Sequence, residues 1–243
     1  MKASIVLLMI VLFCACNDNE NIVPVTNASS NSPNTSSYIV PQKSLSMLAL
    51  GDSYTIGASV LKEDRWNEQL KVELEERNYK LNDIQYVART GWTTRNLLNA
   101  IADENLLPKY DIVTLLIGVN NQYQRIDIEV FEEEYEELLN LAIQYAGNDP
   151  SKVIVLSIPD YGYTYSVPSQ SISQEINQYN NLKQSITNRN QVVFHNITSY
   201  TRQVQNNPSL VASDGLHPSG NLYKLWVDDI INKVYEQFLV PAN

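Results

Sequence analysis

The sequence is short of cysteine, histidine and basic residues. Its two cysteines, Cys14 and Cys16, both lie at the extreme N-terminus of the 243-residue chain. The remainder can therefore form neither disulfides nor thiolate metal sites. Histidine occurs only as His195 and His217, with no His-Glu-x-x-His or other carboxylate–histidine metal-ligand spacing. No catalytic metal and no other cofactor is expected. Lysine and arginine total 17 against 27 acidic residues, a net charge of -10. Such a chain is poorly suited to gripping phosphate backbones. With no basic run and no zinc-finger spacing, nucleic acid is not expected as a partner.

Long hydrophobic runs are also scarce, and the one present is terminal. Behind Met1-Lys2, residues Ala3 to Ala15 are almost all apolar. That length suits the apolar core of a signal peptide and is too short to span a bilayer comfortably. The run ends in Leu12-Phe13-Cys14-Ala15-Cys16, which resembles a bacterial lipobox, with Cys16 as the lipidated residue. Residues 17–42 are rich in Asn, Ser, Thr and Pro, the composition of a solvated tether. The expected organisation is a signal peptide over 1–15, a polar tether over 16–42 and a folded domain over 43–243. The protein is expected to be exported to the cell envelope and held on a membrane by lipid on Cys16. Cleavage after Ala15 without lipid, giving a periplasmic or secreted protein, is the alternative.

From Lys43 onward, short apolar runs alternate with helical periodicity and no internal repeat is present. Strands are expected at residues 46–50, 84–88, 111–117, 153–156 and 192–194, the third continuously apolar as in parallel sheets. Helices are expected at 64–78, 94–104, 128–145, 172–188 and 220–239. Alternation of this kind implies an α/β fold with a parallel sheet sandwiched between helices. The cluster Glu132, Glu133, Glu134, Glu136 and Glu137 reads as a solvated helix face.

In open α/β sheets, ligands bind beyond the C-terminal ends of the strands. The first four expected strands run in turn into Gly51-Asp52-Ser53-Tyr54, Arg89-Thr90-Gly91-Trp92, Gly118-Val119-Asn120-Asn121 and Pro159-Asp160-Tyr161. Asp214-Gly215-Leu216-His217-Pro218 precedes the last helix. Ser53 offers a hydroxyl, Asn120 an amide donor and His217 a base. Singly these are weak signals: Gly-Asp-Ser is often a turn and helix cap, and Asp-x-x-His can be a helix start with Pro218 at its first position. Together they converge on one edge of the sheet.

These blocks resemble the SGNH (GDSL-like) hydrolase superfamily. Gly51-Asp52-Ser53, Gly91, Gly118-x-Asn120 and Asp214-x-x-His217 occur in the family's order over about residues 44–240. Tyr54 replaces the leucine of the GDSL signature, and Asn121 stands where aspartate is common. The Gly-x-Ser-x-Gly elbow of α/β-hydrolases is absent. The resemblance implies a three-layer α/β/α, flavodoxin-like fold and a serine esterase. Ser53 would attack the ester carbonyl, His217 would take its proton, and Asp214 would orient the imidazole. The oxyanion would be held by the Ser53 and Gly91 backbone N–H groups and the Asn120 side chain. Expected substrates are short acyl esters of carbohydrate, lysophospholipid or other lipid acyl esters, and thioesters. A catalytically silent binding protein of the same fold is the competing reading. His195 lacks the Asp-x-x-His context and reads as structural, and Tyr161, Tyr163 and Tyr165 either line a pocket or form a plain loop.

Overall fold

The structure, a computed structural model, describes residues 43–239. The proposed signal peptide, Cys16 and the tether lie outside the described residues. Five strands form one parallel sheet: β1 Lys43–Gly51, β2 Tyr79–Ala88, β3 Ile112–Leu116, β4 Val153–Leu156 and β5 Val193–His195. Their order is β2-β1-β3-β4-β5. The chain therefore leaves β1 towards one edge, returns, and builds the other half outward from β3. The reversal falls between β1 and β3, so a crevice opens there beyond the strand ends.

The described residues also form eight α-helices, besides short 3-10 turns: α1 Ser53–Ile56, α2 Trp66–Glu76, α3 Thr94–Asp103, α4 Val119–Tyr123, α5 Ile128–Tyr145, α6 Gln170–Arg189, α7 Thr198–Thr201 and α8 Gly220–Leu239. The expected fold class is the one observed. None of these helices is long and apolar enough to cross a membrane.

Strands β3 and β4 are buried along their whole length, as central parallel strands covered on both faces must be. Leu48, Leu50, Val113, Leu115, Ile154 and Val155 form the middle of the core. Each such side chain contributes roughly 1.5–3 kcal/mol on burial. The long helices add one face each: Phe131, Tyr135, Leu138 and Leu139 from α5, Tyr223, Trp226 and Ile230 from α8.

Strands β1 and β2 start earlier than their apolar runs suggest. Lys43–Leu45 pair with Tyr79–Leu81 ahead of a register shift between Leu45 and Met47. These polar-flanked residues are recruited by backbone pairing, which hydrophobic patterning does not report.

One expected surface residue is misplaced. Glu134 is buried, because α5 turns it inward against α3. There its carboxylate accepts from Arg95 Nε at 2.9 Å and from the Thr94 hydroxyl. Glu136 stays outside, paired with Arg189.

Candidate active site

Strand β1 ends in a sharp turn that delivers Ser53. A Cβ at Gly51 would lie 2.3 Å from the Leu116 carbonyl oxygen, so only glycine lets β1 pass this close to β3. Asp52 then caps α1, its Oδ1 accepting the Tyr54 N–H at 3.0 Å. Burial pushes the Asp52 carboxyl up to about 7, although the Tyr54 N–H bond and the Lys183 charge pull it down. Ser53, the first residue of α1, is nearly buried and lines a cavity of about 270 Å³ beyond β1 and β3.

His217 lines the same cavity. It sits in a loop closed by an antiparallel bridge between Val211 and Pro218 and by the Ala212 N–H to His217 carbonyl bond at 2.8 Å. The loop folds Asp214 back on His217. Asp214 Oδ1 accepts the Leu216 and His217 N–H groups, each at 2.9 Å, and its Oδ2 lies 2.6 Å from His217 Nδ1. The Ser59 hydroxyl donates to the same Oδ2 at 2.6 Å. Burial alone would raise the Asp214 carboxyl. The bonds from Ser59, His217 and the two backbone groups outweigh it and hold Asp214 well below the usual carboxylate range. An ionised carboxylate only accepts, so His217 Nδ1 carries the proton and Nε2 is left as a base. The Tyr54 ring packs against the imidazole at 5.5 Å. Pro218 precedes α8 by two residues and so is not its first helical residue, because the bridge to Val211 extends the loop.

Gly91 and Asn120 complete the cavity wall. Gly118 begins the Asn120 loop at φ +123°, where a Cβ would meet Phe131 at 2.7 Å. Short helix α4 then ties this loop to the one after β2. Asn120 Nδ2 donates to the Trp92 carbonyl at 2.9 Å, and Gln124 Nε2 to the Gly91 carbonyl at 3.2 Å. Asn121 is fully buried, accepting the Thr94 N–H at 3.0 Å and donating to the Thr94 hydroxyl at 2.6 Å. That hydroxyl in turn donates a hydrogen bond to the Glu134 carboxylate. An amide at this position serves the two-way bond that a carboxylate could only half make.

The cavity rim is aromatic. Tyr161 and Tyr165 line it, whereas Tyr163 turns away and packs over Arg202. Tyr123, which carries no signal in the sequence, is 66% exposed and meets Tyr161 edge-on at 6.1 Å. Tyr165 is 48% exposed, its ring centroid 6.4 Å from that of Tyr161. Among the described residues, no lysine, arginine, aspartate or glutamate lines the cavity. Ser59, like Tyr123, belongs to no motif, since each is defined by what lies opposite in space. His195 is buried at the end of β5, and neither ring nitrogen has a hydrogen-bond partner among the described residues.

The geometry has the parts of an acyl-transfer site, and comparison with known proteins decides the family. Residues 49–225 match the GDSL-like Lipase/Acylhydrolase family. The chain belongs to that family. It is therefore a hydrolase acting on carboxylic esters. No curated protein matches it in sequence. Solved structures share its fold. TesA superposes with a TM-score of 0.62 at 15% identity, covering 80% of this chain and 99% of that one. Axe2, an acetylxylan esterase from Geobacillus stearothermophilus, gives 0.59 at 17% identity, covering 83% and 100%. The psychrotrophic esterase EstA from Pseudoalteromonas sp. gives 0.59 at 15%, covering 79% and 97%.

Proposed function

We propose that this GDSL hydrolase cleaves short acyl esters of carbohydrates through a Ser53–His217–Asp214 triad. The observation that carries the reading is the 2.6 Å contact of His217 Nδ1 with Asp214 Oδ2 on the wall of the cavity that Ser53 enters. His217 Nε2 takes the Ser53 proton as the hydroxyl oxygen bonds to the ester carbonyl carbon. Negative charge collects on the carbonyl oxygen, where the Ser53 and Gly91 N–H groups and the Asn120 amide serve as donors. The imidazolium returns its proton to the departing alcohol, leaving an acyl-Ser53. Water then attacks, with His217 again as base, and frees the acid.

The cavity favours a neutral ester. Among the described residues its lining holds no lysine or arginine to meet a phosphate and no aspartate or glutamate to meet a trimethylammonium headgroup, which counts against lysophospholipids. The exposed faces of Tyr123 and Tyr165 suit the apolar face of a sugar ring, and about 270 Å³ leaves little room for a long acyl chain beside it. That Axe2 is an acetylxylan esterase of the same fold is consistent with this choice. Lipidation of Cys16 and a tether over 16–42 would place the domain at a membrane surface in the cell envelope. The test is a p-nitrophenyl series from acetate to laurate beside acetylated xylooligosaccharide. Specificity constants should be highest for acetate and fall steadily past butyrate, with measurable release of acetate from the saccharide. A maximum at laurate with an inert saccharide would reassign the substrate to lipid esters.

A further inference from the structure

Of the acidic residues over 132–137, only Glu134 is buried, at 5% exposure. Its carboxylate accepts from the first two residues of α3: from the Thr94 hydroxyl at Oε2, and from Arg95 Nε at Oε1, 2.9 Å away. Thr94 and Asn121 are both 0% exposed and meet twice. The Thr94 N–H lies 3.0 Å from Asn121 Oδ1, and Thr94 Oγ1 lies 2.6 Å from Asn121 Nδ2. Each bond direction is forced. A backbone N–H only donates, so it faces the Asn121 oxygen, and the amide nitrogen is left to donate to Thr94 Oγ1. A hydroxyl carries one proton, which therefore goes to Glu134.

This row of bonds ends beside both oxyanion donors. Asn121 follows Asn120 directly, and Thr94 stands three residues after Gly91. Two further bonds join the same loops: Asn120 Nδ2 to the Trp92 carbonyl at 2.9 Å, and Gln124 Nε2 to the Gly91 carbonyl at 3.2 Å. The first is part-buried and the second exposed, whereas both Asn121–Thr94 bonds are buried. Water competes for exposed bonds and not for buried ones, so the Asn121–Thr94 pair is the firm tie between the loops. A carboxylate placed in the interior is weak evidence for stability, since apolar replacements are often neutral or better. Placement of Asn121 is what Glu134 adds.

We propose that Glu134 is a positioning residue for hydrolysis: by taking the Thr94 proton it leaves Thr94 Oγ1 as the acceptor that clasps Asn121, and so fixes the Asn120 loop against the Gly91 loop. This rests on the assignment of Gly91 and Asn120 as oxyanion donors. The same bonds can be satisfied with their polarity reversed. In the double variant Asn121→Asp/Glu134→Gln, the new amide donates to Thr94 Oγ1 and accepts from Arg95, while the new carboxylate takes the Thr94 hydroxyl proton and the Thr94 N–H. Asn121→Asp alone sets one hydroxyl proton between two carboxylates.

The experiment is a double-mutant cycle of Asn121→Asp and Glu134→Gln in the full chain on one acetate ester, with active sites counted by complete reaction with a fluorophosphonate. It is run at about pH 8.5, which favours ionisation of both carboxyls. Asn121→Asp should lower kcat per active site about tenfold or more, with KM within about twofold. Glu134→Gln should cost only about threefold, because its amide oxygen can still take the Thr94 proton once the exposed Arg95 side chain swings away. The double variant should return to within about threefold of wild type. Wild-type kcat in Asn121→Asp, or a double variant no faster than Asn121→Asp, would overturn the proposal. Should Asn121→Asp not fold, Glu134→Leu takes its place, since it leaves the Thr94 proton without an acceptor and should cost the same in kcat. Wild-type kcat there, or failure of both variants to fold, would overturn the role in favour of a purely structural one. Asn120→Ala is run alongside and should lose roughly a hundredfold or more in kcat. Wild-type turnover by Asn120→Ala would overturn the oxyanion assignment and this role with it, whereas a slow Asn120→Ala beside a fast Asn121→Asp would overturn this role alone.

Discussion

Asp214 shows how one side chain can serve position and chemistry together. Two backbone bonds, the Ser59 hydroxyl and the His217 ring nitrogen converge on its two oxygens. Because they hold the carboxyl well below its usual range, Asp214 stays ionised wherever His217 can act as a base. Its stability contribution is present above the ordinary aspartate range and is lost only as pH falls through the depressed folded value. Asp214→Asn keeps size and several bonds but can donate to Nδ1, which fixes the wrong tautomer. By analogy with the well-studied triad, kcat should drop by roughly 10⁴. Steady-state kinetics on one soluble acetate ester checks this, and a loss below about tenfold would mean that Asp214 does not orient the base.

At the scale of elements, most of the fold was legible because parallel α/β architecture writes itself in two periods. The helices over 128–145 and 220–239 and the strand over 153–156 match in both bounds, as each is buried along one face or throughout. The starts of β1 and β2 were not legible, because strand pairing recruited residues without apolar patterning. Motif spacing singled out Ser53, Asp214 and His217. Ser59, Tyr123 and Thr94 could not be found that way, since they gain their place only through tertiary contacts. Lys183 was accessible in principle, as a lysine at the apolar register of α6. Glu134 was hidden by its acidic neighbours. The Asn120 loop also yields a test of element geometry. Gly118→Ala places a Cβ 2.7 Å from Phe131 at a φ that L residues rarely adopt. It should destabilise by about 1–3 kcal/mol and slow turnover by displacing Asn120. Denaturation with urea measures the first, and a change within about 0.5 kcal/mol would contradict this account of the turn.

At the scale of the whole molecule, acid sensitivity traces to a residue outside the site. Burial, helped by Lys233 and opposed by Asp229, pushes His195 down to about 4 from an ordinary 6.5. The unfolded chain therefore takes up the proton first. The stability tied to a neutral His195 is intact above about pH 6.5 and is lost as pH falls towards about 4, on the order of 3 kcal/mol in all. His195→Leu should flatten that slope. The quantity to measure is the difference between wild-type and variant unfolding free energies across about pH 4–7.5, which cancels the other titrating groups; a pH-independent difference would contradict it. Kinetics at neutral pH should barely change, since His195 does not line the cavity.

The central claim is that Ser53 is the nucleophile, and labelling with a fluorophosphonate tests it most directly. A fluorophosphonate forms a covalent phosphonyl ester with an activated serine, displacing fluoride. The wild-type chain should hydrolyse p-nitrophenyl acetate, take up one equivalent of probe on the peptide carrying Ser53, and lose activity in step. Ser53→Ala should neither react nor hydrolyse, with its thermal midpoint unchanged. Labelling of a different serine, or retention of more than a tenth of the activity by Ser53→Ala, would contradict the account.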